Sequence, residues 1–203
     1  VTGGVSSPVA ALILAAGLSS RMAPRNKLLI RNELGRPMVA RVAEAALASR
    51  ARDVFVVTGH QAEEVAQEVA GTGYAGRRPQ LVHAPAYASG LSASLKAGLA
   101  ALAPEIGAAL VCLGDMPLVT SALMDAVIDA YGADEARLIV VPTCRGRRGN
   151  PVLWDRSFFA EIAALEGDTG ARALLTRHAR RVTEVETGEE AILLDFDTPD
   201  AFG

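Results

Sequence analysis

Four short, unbroken apolar runs punctuate this chain, at residues 9–14, 54–57, 108–113 and 138–141. A strand with one wet face alternates apolar and polar side chains, so runs without alternation predict strands buried on both faces. A shorter run at 80–82 precedes His83. The segments between them carry helical spacing instead. Pro37 is placed to open a helix at its first position, and Met38, Val42 and Ala45 then share a face. Ala62, Val65, Ala66 and Val69 form a second stripe, and Leu91, Leu95, Leu99 and Leu102 a third. Met124, Val127, Ile128 and Tyr131 form a fourth, with Thr120 as its N-cap. Strands alternating with helices predict an α/β domain of Rossmann-like type, a mostly parallel sheet with helices on both faces.

The pattern changes after residue 141. Short strands at 152–154 and 182–185 flank two helices at 157–165 and 169–178, and an apolar segment at 191–194 leads into Asp195-Phe196-Asp197-Thr198-Pro199-Asp200. This predicts a small α/β elaboration in the second half of one domain spanning 9–203. Residues 1–8 are neither basic nor apolar, so they are expected to form a flexible leader rather than a signal peptide. No apolar stretch approaches the roughly 18 residues of a membrane span. Cys112 and Cys144 fit neither a disulfide framework nor a metal spacing. A cytoplasmic protein is expected.

A net charge of −3 provides no basic field for nucleic acid, and five phenylalanines, three tyrosines and one tryptophan make a poor base-stacking platform. The local exception is the cluster Arg145, Arg147 and Arg148, which reads either as a solvated loop or as a landing site for an anionic substrate.

Ligands of open parallel sheets bind beyond the carboxyl ends of the strands, and the candidate functional segments fall on that edge one after another. The first strand runs through Leu14, Ala15 and Ala16 into Gly17-Leu18-Ser19-Ser20-Arg21, with Lys27 close behind. Small residues let backbone N–H groups approach phosphates, and Arg21 and Lys27 can neutralise them. Lys96 is the only other lysine, and a lysine is a compact charge suited to following a phosphate. The loop has neither the P-loop spacing nor the dinucleotide fingerprint. Thr58 and Gly59 end the second strand; Gly90, Ser92 and Ser94 follow the third; Gly114 and Asp115 end the fourth.

Asp115, at a strand end, is a hard oxygen ligand of the kind Mg²⁺ takes together with phosphate oxygens and water. Its other reading is a cap for the following turn. Asp197 is the natural partner carboxylate, and it too can be read as a helix cap. Two carboxylates holding Mg²⁺, a loop of N–H donors and two cations suit a nucleoside triphosphate held for in-line attack on its α-phosphorus, with pyrophosphate leaving. No nucleophilic triad is recognisable.

Leu14-Ala15-Ala16-Gly17-Leu18-Ser19-Ser20-Arg21-Met22 with Asn26-Lys27-Leu28-Leu29 resembles the signature loop of the nucleotidyltransferases of molybdenum cofactor biosynthesis. Val57-Thr58-Gly59-His60, Gly90-Leu91-Ser92-Ala93-Ser94-Leu95, Gly114-Asp115-Met116-Pro117 and Asp197-Thr198-Pro199 follow in that family's order. Gly149-Asn150-Pro151-Val152 and Gly167-Asp168-Thr169-Gly170-Ala171-Arg172 resemble the cytidylyltransferase branch more narrowly. The resemblance implies transfer of CMP from CTP to molybdopterin with Mg²⁺. It also implies acceptor contacts from Arg145, Arg148, Asn150 and Asp168, and a molybdoenzyme or cofactor-insertion partner. Ala16 and Gly114 match the cytidylyl rather than the guanylyl pattern, and a methyl at position 16 narrows the space for a purine.

One departure is Ala23, where the family usually has glycine. Alanine fits there if the residue before Pro24 is extended, which proline favours. Three alternatives stand beside this reading. One is a reductase of the same fold using a nicotinamide dinucleotide, against which Lys27, Asp115 and Asp197 argue. Another is a cytidylyl or guanylyl transferase with a different phosphorylated acceptor. The last is a non-catalytic nucleotide-binding partner.

Overall fold

The computed structural model describes residues 7–19, 26–131, 138–167 and 170–196. Of the positions singled out above, most of the leader (1–6), Arg21, Ala23, Asp168 and Asp197 lie outside them. The apolar runs form strands where expected: β1 Val9–Ala15, β2 Asp53–Thr58, β3 Gln80–His83, β4 Ala108–Leu113 and β5 Ile139–Cys144. β6 (Arg147–Arg148), β7 (Val152–Asp155) and β8 (Val182–Glu186) follow. The helices are α1 Met38–Ala48, α2 Ala62–Ala70, α3 Leu91–Ala100, α4 Ser121–Ala130, α5 Phe159–Ala163 and α6 Arg172–Arg177.

β1 is central, paired in parallel with β2 on one side and β4 on the other, and β3 extends the sheet beyond β2. Successive side chains of β1 enter opposite cores, as pleating dictates. Val9, Ala11, Ile13 and Ala15 pack with residues of α1, α2 and α4, whereas Ala10, Leu12 and Leu14 pack with residues of α3, α5 and α6. Burying each large aliphatic side chain there contributes about 1.5–3 kcal/mol. A Cβ on Gly98 of α3 would stand 2.9 Å from Val57, so glycine sets how closely α3 approaches the sheet.

Several sequence expectations are corrected here. The helix predicted from Pro37 begins at Met38, with Pro37 as its N-cap. α4 is capped as predicted, Thr120 Oγ1 accepting from the N–H of Leu123 at 3.2 Å. Leu91 leaves the core stripe and stays 37% exposed. The apolar segment at 191–194 forms most of a 3-10 turn, Glu190–Leu193.

The larger correction concerns β7, which runs antiparallel between β4 and β5 and separates strands consecutive in the chain. β8 lies parallel along one edge of β5, so β6 and β7 share the other edge as one returning strand. The register slips by two residues between the Thr143–Arg148 and Val140–Leu153 pairs. Gly149-Asn150-Pro151 is therefore a bulge, the device that re-aims side chains beside functional sites. A Cβ on Gly149 would collide with the carbonyl of Ile192, so this bulge requires glycine.

Candidate active site

The sheet order turns at β1, whose two neighbours are β2 and β4, and ligands bind at the carboxyl ends of strands at such a switch point. The loops after β1 and β4 are drawn together there. The N–H of Gly114 donates to the carbonyl of Leu14 at 3.0 Å. A Cβ at Gly114 would stand 3.0 Å from that oxygen and 3.3 Å from Leu28, so a larger residue would push the loops apart.

This approach brings Asp115 against Lys27, whose Nζ lies 2.5 Å from Oδ2. Both side chains are mostly buried, 17% and 16% exposed. Lys27 opens a short 3-10 turn, Lys27–Leu29, capped by Asn26. The Asn26 Oδ1 accepts from the N–H of Leu28 at 3.1 Å and from the Ser19 hydroxyl at 3.2 Å. Asn26 is itself 4% exposed and fixes where Lys27 leaves the backbone. Its Nδ2 has no hydrogen-bond partner among the described residues.

The second oxygen of Asp115, Oδ1, is also buried, with no partner among the described residues. A buried carboxylate oxygen without a donor is costly unless a cation faces it, so the site fits a hard divalent ion. The N–H of Phe196 donates to the carbonyl of Asp115 at 3.3 Å, which anchors the chain beside this carboxylate one residue before Asp197. Among the described residues no group of three or more His, Cys, Asp or Glu side chains converges as a metal cage. A Mg²⁺ site of one or two carboxylates completed by phosphate oxygens needs none.

Toward β2, Ala15 and Ala16 are buried and Gly17 is exposed, so β1 delivers its backbone to the edge at Gly17. The carbonyl of Ala16 accepts from the N–H of His60 at 3.2 Å, and that of Thr58 from Ala84 at 2.8 Å. A Cβ on Gly59 would lie 2.5 Å from Tyr87 and 2.8 Å from the Ala16 methyl, so three residues of different loops close on one point. Gly90 (φ +108°) turns the chain into α3. Ser92 and Ser94 follow on the buried face of that helix, 3% and 4% exposed.

On the other side of Asp115, a cavity of about 530 Å³ opens between β1, β4, β7, α3 and α6. Leu91, Leu95, Val152, Trp154 and Leu175 make its apolar wall. Arg147, Arg148, Asn150, Arg172 and Asp195 supply polar groups, and Met116 reaches it from beside Asp115. Of the sequence-predicted acceptor residues, Arg148 and Asn150 line this space, and Arg145 does not. Arg145 and Gly146 have φ +50° and +73°, the two left-handed residues of a tight hairpin turn. The turn points the Arg145 side chain outward, 81% exposed, to Glu190 at 2.9 Å. Arg148 Nε donates to Glu184 at 2.7 Å. Glu186 pins the hairpin from β8, and the Thr143 hydroxyl, aided by backbone N–H groups of Arg145, Gly188 and Gly146, holds its carboxyl below the usual range.

The family model described as MobA-like NTP transferase domain matches residues 11–182. The chain belongs to that family. As a MobA-like NTP transferase it is 29% identical over 197 residues to the molybdenum cofactor cytidylyltransferase of Escherichia coli K12, covering 97% of this chain and 94% of that one. It is 34% identical over 151 residues to the bifunctional protein GlmU of Geobacter metallireducens, covering 73% of this chain. The chain spans only 29% of that relative's length. The crystal structure of Rv0371c from Mycobacterium tuberculosis H37Rv superimposes with a TM-score of 0.80 at 25% identity, over 97% of this chain and 96% of that one. The match in fold confirms the mostly parallel, helix-flanked sheet of a nucleotidyltransferase.

Three residues that the NTP transferase brings to the site carried no role of their own in the sequence, Asn26, Tyr87 and Arg172, and Arg147 stood there only as one of the arginine cluster. Asn26 had a legible signal, a capping side chain directly before the key lysine. Tyr87 had none, since its role depends on a glycine 28 positions earlier in the chain.

Proposed function

We propose that this nucleotidyltransferase moves CMP from CTP to the terminal phosphate of molybdopterin, releasing pyrophosphate. The observation that carries the reading is the placement of Lys27 and Asp115 between two unlike spaces. On one side lie the small-residue loops of Gly17, Gly59 and Gly90; on the other is a cavity with an apolar wall and arginines. One relative that aligns nearly end to end, over 97% of this chain and 94% of its own, is a molybdenum cofactor cytidylyltransferase.

In this reading the exposed backbone after Ala16 and the N-terminal turn of α3 receive the triphosphate, while Lys27 and Arg21 neutralise it. Ala15, Ala16, Thr58, Gly59, Ser92 and Ser94 shape the nucleotide side, whereas Leu14 lines the acceptor cavity. Asn150 and Asp168 orient the acceptor. Asp115, through its unpartnered oxygen, and Asp197 would hold Mg²⁺, which supplies Lewis-acid polarisation of the phosphates. The acceptor phosphate oxygen attacks the α-phosphorus as the bond to the pyrophosphate oxygen breaks, and pyrophosphate leaves. Lys27 follows the charge that builds on that leaving group. The protein's contribution is positioning and charge neutralisation, with no covalent intermediate on the chain.

The test is pyrophosphate release across a grid of CTP, GTP, UTP and ATP against molybdopterin and sugar-phosphate acceptors. Release that needs both CTP and molybdopterin supports the reading. Release with a sugar phosphate alone leaves the nucleotidyltransferase and removes the acceptor.

A further inference from the structure

Three arginines line the cavity beside Asp115, and a fourth stands at the hairpin tip, yet their charges are not equally available. Arg145 lies outside the lining and pairs with Glu190, and Arg148 is held by Glu184 through both Nε and a terminal nitrogen at 2.7 Å. Arg147 and Arg172 also line the cavity, and neither has a carboxylate partner among the described residues. The one carboxylate in the lining is Asp195, beside the segment tied to Asp115. Both free-standing arginines are exposed, so they sit at the mouth, above an interior walled by Trp154 and Leu95, each 2% exposed.

We infer that Arg147 and Arg172, rather than Arg145 and Arg148, receive the phosphate of the acceptor, and that the site selects a phosphate monoester on a largely apolar or planar body. The inference rests on the nucleotidyl-transfer reading for which end of the acceptor reacts. Two guanidinium groups from different elements can each present paired N–H donors to one phosphate, a geometry that lysine or a lone arginine does not reproduce. Their placement follows from the fold. Arg147 comes from β6, whose direction is set by the tight turn on one side and the Gly149-Asn150-Pro151 bulge on the other. Arg172 begins α6, whose Leu174 and Leu175 are buried and fix the helix against the sheet. A phosphate held between them stays at the rim, where the reacting oxygen can face Asp115, and the apolar body lies against Trp154. Arg148 serves a different end, tying β6 to β8 through Glu184.

The experiment measures binding of a pterin methyl phosphate and of its dephosphorylated alcohol to the whole chain, with CTP binding measured alongside. The wild type should prefer the phosphate ester by at least tenfold. R147A and R172A should each erase most of that preference and leave CTP binding unchanged, whereas R145A should keep it. R147K should rescue it poorly. If the pterin ester fails to bind but a sugar phosphate binds with the same dependence on Arg147 and Arg172, the phosphate assignment stands and molybdopterin falls as acceptor. A phosphate preference that survives R147A and R172A together, or that R145A abolishes equally, overturns the inference.

Discussion

Lys27 and Asp115 stand 88 positions apart in the chain and meet at 2.5 Å, Nζ to Oδ2, where the loops after β1 and β4 converge. The contact leaves the second carboxylate oxygen buried and without a partner among the described residues. One side chain thus faces a lysine on one oxygen and is open to a cation on the other.

Asp115→Ala should therefore remove activity without unfolding the protein. The side chain lies at a loop and not in either core, and its loss also relieves an unpaired buried oxygen. Turnover should fall by about 10²–10³ or more, the scale seen when a charge-stabilising group is lost. Circular dichroism and Mg²⁺-dependent pyrophosphate release together check this. A folded variant with near-normal Mg²⁺-dependent turnover would contradict the metal assignment.

Lys27→Ala should lower kcat by a comparable factor of about 10², and Lys27→Arg should restore little. The space at Lys27 leaves it only 17% exposed against Asp115, and a guanidinium is broader than an ammonium. Steady-state kinetics on both variants decide the matter. Full activity in both would make Lys27 a structural partner of Asp115 only.

Asn26 acts through Lys27 and is a positioning residue. Asn26→Ala removes the cap and should cost about 1 kcal/mol of stability, with a fall in kcat exceeding any rise in the KM for CTP. Asn26→Asp keeps the accepting oxygen and should recover the stability. It places a second negative charge beside Lys27, so it should shift the pH profile of kcat. A kcat unchanged in Asn26→Ala would show that the turn holds Lys27 without its cap.

Alkaline pH should destabilise the fold through two residues outside the site. Burial pushes the Cys112 thiol up to about 12. Burial raises the Tyr131 phenol too, with the carboxylate of Asp155, 2.5 Å from its hydroxyl, adding to the effect. The unfolded chain loses these protons near about 8.5 and 10 while the folded chain keeps them. Their contribution is thus complete below the unfolded values and is lost as pH rises toward the folded ones. The melting temperature should fall steadily above about pH 8.5. Cys112→Val should flatten the earlier part of that fall and Tyr131→Phe the later part. Slopes identical to wild type in both variants would contradict the assignment.

The parallel half of the sheet was readable because strands buried on both faces leave unbroken apolar runs, as in Ile13 and Leu110. β7 was readable as a strand but not as the one inserted between β4 and β5, because pairing between distant segments leaves no local mark. Leu91 kept helical spacing with Leu95 and Leu99, and spacing alone cannot tell a core from a cavity wall. Asp115 was legible because it follows the end of β4 directly, and Lys27 because it stands in the loop after β1, at the same edge of the sheet. Arg145, Arg147 and Arg148 read alike in the sequence, because the partners that separate them, Glu190 and Glu184, lie more than thirty residues away. Arg147 and Arg172 stand out only once those pairings are known.

Transfer of the nucleotidyl group is decided by the fate of the α-phosphorus. CTP labelled at that atom is incubated with the purified protein, Mg²⁺ and molybdopterin, with labelled GTP in parallel. Label from CTP should appear in a single new acceptor-linked product, with one pyrophosphate released per label transferred, and GTP should label far less. Equal labelling from GTP would contradict the choice of CTP. No α-label in any acceptor, with CTP either intact or hydrolysed, would contradict the transfer itself.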